Sequence, residues 1–226
     1  LTWPQPFVAA VGFALIAGCA VTSVDTMSPT RAAQAADINA EIAVYHLEQG
    51  NTLLARDKAE KALQQNPQSI HAHLVSAEIE SRLGDVNAEA WHYEQALNIE
   101  PQNPSALNNF AGFLCRQSQI EAAMEIYERV AKDRRYGQQA LVLTNAGRCL
   151  FEANHWVEAK EYWQRALAEV SNYPPALFGL AEAELALGSI DAARAYFSRY
   201  TAVIGEISDK DAQRIARFRT QLESTW

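Results

Sequence analysis

Residues 104–132 read PSALNNFAGFLCRQSQIEAAMEIYERVAK, and their small, aromatic and breaker residues recur elsewhere in the chain at a fixed interval. Ala111 is one of a series: Ala43, Ala77, Ala111, Gly147 and Ala181, with gaps of 34, 34, 36 and 34 residues. Twelve residues after each come Ala55, Glu89, Ala123, Ala159 and Ala193. Four further on stand Ala59, Tyr93, Tyr127, Trp163 and Phe197, and three beyond those Ala62, Ala96, Val130, Ala166 and Tyr200. Between the first two series sit Gly50, Gly84, Ser118, Asn154 and Gly188, residues that break helices or tolerate turns. The spacing predicts two helices of about 14 residues per unit, joined by a tight turn. Small residues on each helix let its partner approach, and the aromatic fills the gap toward the next unit. One such pair cannot bury its apolar faces alone, so the units must stack and share a continuous core.

This pattern resembles the tetratricopeptide repeat over residues 36–204. The resemblance implies an all-α superhelix of about five helix pairs, with first helices lining a concave face. Some units depart from the pattern. Thr52 and Ala59 stand where other units carry a large apolar residue and an aromatic, Glu89 replaces a small residue, and the junction at Asp133–Gly137 has two extra residues. Ser208 reads as an N-cap and Asp209–Glu223 as one more helix, with Ala212, Ile215, Ala216, Phe218 and Leu222 on its apolar side. That helix is either a solvating cap or the first half of a sixth unit.

Three segments follow: a signal peptide at 1–18, a lipidated cysteine and flexible tether at 19–35, and the repeat domain at 36–226. Residues 1–24 carry no charge, and Phe7–Val21 is an apolar run of about 15 residues, shorter than the roughly 20 a spanning helix needs. Leu15-Ile16-Ala17-Gly18-Cys19 resembles the lipobox of bacterial lipoproteins. The likeness implies that Cys19 is acylated and becomes the first residue after cleavage. Ala20 rather than Asp at the next position implies sorting to the outer membrane of a Gram-negative bacterium. Residues 20–36 are small and polar and read as a tether, with an end-to-end distance of roughly 20–25 Å.

The chain carries 19 Lys plus Arg against 27 Asp plus Glu, a net charge of −8. It is therefore repelled by phosphate backbones, and nucleic acid is not an expected partner. The five histidines, His46, His71, His73, His92 and His155, include no i, i+4 pair. His71 and His73 point roughly 200° apart on one helix and cannot share a metal. No phosphate loop, nucleophile elbow or zinc-protease motif is present. No enzyme, metal, cofactor or small-molecule substrate is expected.

Cys115 and Cys149 fall at nearly the same height on the first helices of units three and four, which neighbour one another in such an array. They form either a disulfide or two buried thiols that merely pack. By register, the inward positions include Val44, Leu47, Leu74, Glu78, Asn108, Asn109, Gly112, Arg116, Thr144, Arg148, Phe151 and Phe178. Gly112 sits mid-helix, at a cost of about 1 kcal/mol relative to Ala. It allows close approach either by a bound segment or by a neighbouring helix within the fold.

The stretch Leu107-Asn108-Asn109-Phe110-Ala111-Gly112-Phe113-Leu114-Cys115, with Leu143–Cys149, Tyr136 and the lipobox, resembles the PilF/PilW family of type IV pilus biogenesis lipoproteins. That resemblance implies an outer-membrane pilotin that binds the secretin PilQ, promotes its localisation and multimerisation, and stabilises pili used in twitching motility. The family usually carries six full units; five and the first helix of a sixth are read here. A periplasmic lipoprotein adaptor for cell-wall enzymes is the alternative with the same architecture.

Overall fold

The computed structural model describes residues 28–205 and 209–224, and for 209–211 the backbone only. The described residues form eleven helices and no strand. These are α1 (Pro29–Glu48), α2 (Thr52–Gln65), α3 (Ile70–Leu83), α4 (Val86–Ile99), α5 (Pro104–Arg116), α6 (Ile120–Lys132), α7 (Gln139–Glu152), α8 (Trp156–Glu169), α9 (Pro174–Ala186), α10 (Ile190–Val203) and α11 (Asp209–Glu223). Each odd-numbered helix up to α9 pairs with its successor, each second helix packs on the next pair, and first helices of adjacent pairs touch. The fold is all-α and repetitive, as the period predicts.

Local chemistry sets the boundaries. All five breaker positions have positive φ: Gly50 at 76°, Gly84 at 80°, Ser118 at 60°, Asn154 at 63° and Gly188 at 78°. The left-handed region costs a glycine nothing sterically, and Asn tolerates it through its short polar side chain. Asp85 and Asn103 cap the helices that follow, each accepting a hydrogen bond from a backbone N–H of the first turn at 3.0 Å. Pro104 and Pro174 occupy first-turn positions, where their missing N–H is not needed.

The core is a row of neighbouring clusters. The alanines of the two small-residue series are sealed, among them Ala43, Ala77, Ala111, Ala123, Ala159 and Ala181 at 0% exposure. Trp163 lies between the two first helices that flank it. A Cβ added at Gly147 would stand 2.7 Å from its Nε1, and one at Gly179 would stand 2.4 Å from its Cε2. Its indole N–H donates to the Thr144 carbonyl at 3.1 Å. The two glycines therefore form a slot for the indole.

Several expectations change in the structure. The segment 19–35 is not a tether to its end, because α1 starts at Pro29. Ser28 caps it, Pro29 takes the first-turn position, and the alanine-rich run beyond sustains the helix. Burial nonetheless begins only at Ala36. The signal peptide, the lipobox with Cys19 and the Ser208 cap lie outside the described residues. In α11, Ile215, Phe218 and Leu222 are buried against Phe178, Phe197 and Tyr200, whereas Ala212 and Ala216 are exposed. Phe218 lies 5.0 Å from Phe197 and 5.3 Å from Phe178 by ring centroids, so α11 covers the last pair.

Candidate functional site

Three adjacent first helices and the second helices behind them enclose a polar cleft of about 450 Å³. α3 contributes Glu78; α5 contributes Asn108, Asn109, Gly112, Cys115 and Arg116; α7 contributes Asn145, Arg148, Cys149 and Glu152; Tyr93 and Tyr127 reach in from α4 and α6. Six of the residues expected by register thus come together here: Glu78, Asn108, Asn109, Gly112, Arg116 and Arg148.

Four others do not line it. Leu47 is 5% exposed and packs with Val75 and Ile79, and Val44 packs against the same cluster. Leu74 is half-buried against the cluster that joins units two to four. Phe178 is 2% exposed because α11 closes over it, with the Arg214 guanidinium 3.8 Å from its ring centroid. Register identifies the face of a helix that turns inward, but not whether a later helix already covers it. Thr144 and Phe151 line a smaller recess of about 160 Å³ that continues the cleft past Arg148 and Glu152. The Thr144 hydroxyl is buried there without a hydrogen-bond partner.

The two arginines differ in kind. Arg116 is tied to the Glu89 carboxylate by a short charge-assisted hydrogen bond, and Glu89 is 3% exposed. Glu89 interrupts the small-residue series because it is the buried counter-ion of a cleft arginine. Burial, with Glu89 nearby, pushes the Tyr93 hydroxyl up to about 12. Burial also pushes the Tyr127 hydroxyl well above its usual value, so both phenols remain protonated donors. Arg148 is exposed and forms no ion pair with another described residue, although Glu152, one turn away on the same helix, and Glu182 line the same recess.

The asparagines form a directional chain along the cleft. The Asn145 amide donates to Asn108 Oδ1, and the Asn108 amide donates to Asn109 Oδ1, each at 3.1 Å. Beneath them a disulfide joins Cys115 to Cys149, with Cα atoms 5.7 Å apart, within the usual span. It fixes α5 to α7 across the cleft.

Gly112 is not a point of helix–helix contact. A Cβ placed on it would meet Tyr127 Oη at 3.4 Å and Arg116 Nη1 at 3.7 Å, and, its chain neighbours and own helix backbone aside, no other heavy atom within 4 Å. The space belongs to the cleft. Nothing on α9 or α10 repeats this arrangement, because Gly179 is filled by Trp163.

The sequence reading missed one cluster. His73 from α3 and His92 from α4 place their Nδ1 atoms 3.1 Å apart, and His73 Nε2 lies 3.1 Å from the Pro67 carbonyl. The two are 19 residues apart in sequence, so the packing of the pair brings them together. Among the described residues no group of three or more His, Cys, Asp or Glu is placed to hold a metal.

Two family profiles described as tetratricopeptide repeat match residues 40–106 and 150–221. Together they take in more than half of the chain, which belongs to the tetratricopeptide-repeat family. The chain is homologous to the type IV pilus assembly protein PilF of Pseudomonas aeruginosa, being 29% identical over 154 residues that make up 66% of this chain. Those residues span 59% of that protein's length. The crystal structure of PilW, a widely conserved type IV pilus biogenesis factor, superposes with a TM-score of 0.70 at 25% identity, covering 84% of this chain and 93% of that one. A structure of Pseudomonas aeruginosa PilF matches in fold with a TM-score of 0.67 at 24% identity, covering 86% and 90% of the two chains.

Proposed function

We propose that this chain is a lipid-anchored, non-catalytic scaffold of type IV pilus biogenesis at the periplasmic face of the outer membrane. It acts there as a pilotin that binds the secretin, promotes its localisation and multimerisation, and supports pilus stability. The observation that carries the reading is the likeness to PilF and PilW, which runs along the repeat array rather than over one helix pair. The chemistry is consistent with it. The cleft offers amides, guanidinium groups and carboxylates on a frame held rigid by a disulfide, a surface suited to a protein segment. The lipobox at Leu15–Cys19 supplies the anchor, and lipoprotein acylation gives a far firmer hold than one chain does.

Deleting the gene should abolish heat-stable secretin multimers and surface pili. Cys19→Ser should leave the repeat array folded but release it from the outer-membrane fraction, with the same loss of multimers. Normal multimers in the deletion strain would refute the pilotin reading.

A further inference from the structure

In every unit after the first, one face of the first helix packs against the second helix of the unit before it. In α3 that face carries Ala72, Ser76 and Ile79, each at most 5% exposed. Ile79 clusters with Ala55 and Ala59 of α2, and Ala72 with Ala62. In α9 the same unit positions are Ala176, Leu180 and Ala183, all at 0%. In α1 they are Ile38, Ile42 and Tyr45, and among the described residues no second helix precedes them. They stand 56%, 37% and 58% exposed. Leu53 and Leu54, which lie in the first turn of α2, add to the exposed apolar surface of this pair.

The far end of the array is finished differently. α11 closes over the last pair and turns Gln213, Arg217, Arg219 and Thr220 to solvent. A repeat array needs a polar outer face at its ends to stay in water. The first pair lacks one, so its end face suits an apolar neighbour.

The nearest apolar neighbour is the bilayer. Residues 20–28 separate the lipobox cysteine, Cys19, from α1 by at most about 35 Å of chain. Such a tether makes contact with the anchoring surface intramolecular, so a few apolar side chains suffice to hold it. Tyr45 has an apolar body and a polar tip, which suits the boundary between headgroups and acyl chains. Among the described residues no helix is long and apolar enough to cross a membrane, so α1 would lie on the surface rather than span it. The other occupants fit less well. After cleavage before Cys19 the chain ahead of α1 is residues 19–28, shorter than the 14-residue second helices that fill this place elsewhere. Asp37, Glu41 and Glu48 run along one edge of the face, and a second copy pairing antiparallel about a two-fold would set the two acidic edges together.

We propose that the end face of α1, through Ile38, Ile42 and Tyr45, rests on the lipid surface that anchors the chain. This depends on the lipid-anchored reading above and deepens it: the anchor holds the array at the membrane, and the face sets which end points toward it. The contact is apolar, and the acidic edge remains in water.

The test uses the full lipidated chain, purified from membranes and reconstituted in phosphatidylcholine vesicles. A nitroxide is attached at Ile42→Cys or, as the control at the other end of the array, at Arg217→Cys. The label at 42 should collide several-fold more often with oxygen than with a water-soluble nickel chelate, and the label at 217 should show the opposite preference. Ile38→Asp with Tyr45→Asp should return the label at 42 to water while leaving the helical signal and thermal midpoint in place. Replacing half of the lipid by phosphatidylglycerol should not increase entry. A label at 42 that stays in water, spin–spin broadening that places two chains face to face, or entry that requires anionic lipid would each overturn the proposal. A label in water on a chain that still floats with the vesicles through Cys19 would leave the anchored scaffold standing. A chain recovered from cells with Cys19 unmodified would refute the anchored reading and this proposal with it.

Discussion

Replacing Gly179 by Ala should destabilise the fold, whereas the same replacement at Gly112 should stabilise it. Both glycines lie inside helices, where Ala is favoured by about 1 kcal/mol through its lower backbone entropy cost. What differs is the space. At Gly179 the new Cβ would stand 2.4 Å from Cε2 of Trp163 and 2.7 Å from Cδ2 and Cζ2. Carbon atoms settle at roughly 3.5–4.0 Å, so the indole must retreat by about 1 Å. It cannot do so freely, because Gly147 lies so close on the other side that a Cβ there would stand 2.7 Å from its Nε1, and its N–H is bonded to the Thr144 carbonyl. Overpacking of this kind costs about 1–3 kcal/mol and exceeds the propensity gain. At Gly112 the nearest atom is 3.4 Å away, and the gain is kept. Thermal unfolding followed by circular dichroism should show Gly179→Ala melting lower by about 2–4 °C for each kcal/mol lost. Gly112→Ala should melt slightly higher. Trp163→Leu, costly alone, should lose less in the Gly179→Ala background, giving a positive coupling in the double-mutant cycle. A Gly179→Ala protein as stable as the parent, or additive behaviour with Trp163→Leu, would refute the slot.

Four further outcomes follow from particular contacts. Ser118→Gly should raise stability by about 0.5–1 kcal/mol, since Ser118 holds a φ of 60° that glycine adopts without steric cost; urea unfolding reads the change. Arg116→Ala should cost about 2–3 kcal/mol by stranding the buried Glu89 carboxylate, whereas Arg148→Ala, which breaks no ion pair, should leave the midpoint nearly unchanged. Reducing the Cys115–Cys149 bond, which spans 34 residues, should lower stability by about 4 kcal/mol in the chain-entropy account, measured with and without reductant. The histidine pair makes stability pH-dependent. Burial, with His73 and Arg56 nearby, lowers the His92 imidazole to about 4, and burial also lowers His73. Their neutral forms suit the fold, so this contribution is complete above the unfolded value near 6.5 and is lost as pH falls from there toward 4. With partial exposure discounted it amounts to about 1–2 kcal/mol. His92→Gln should flatten the pH dependence of the midpoint between those values.

The sequence alone determined the repeat, because its signals are local or strictly periodic. A residue that must adopt positive φ once in every unit, at gaps of 34 or 36 positions, marks a turn whatever surrounds it, and all five such residues do so here. The same arithmetic places Asn108, Asn109, Gly112 and Arg148 on one inward face, and it sets Cys115 opposite Cys149. The helical start at Pro29 carries only the capping signal of Ser28 followed by Pro29, with no apolar stripe beside it, because the first turns of α1 bury nothing before Ala36. Other features belonged to the tertiary structure. The closure of α11 over Phe178, the pairing of His73 with His92, the burial of Glu89 under Arg116 and the slot for Trp163 each depend on how far one helix leans on another. A period fixes which residues share a face, but the distances between faces come from packing whole side chains at close to crystal density. That is why Gly179 and Gly112, alike in sequence as mid-helix glycines, differ in what surrounds them: the space at one is filled by the protein's own tryptophan, and the space at the other belongs to the cleft.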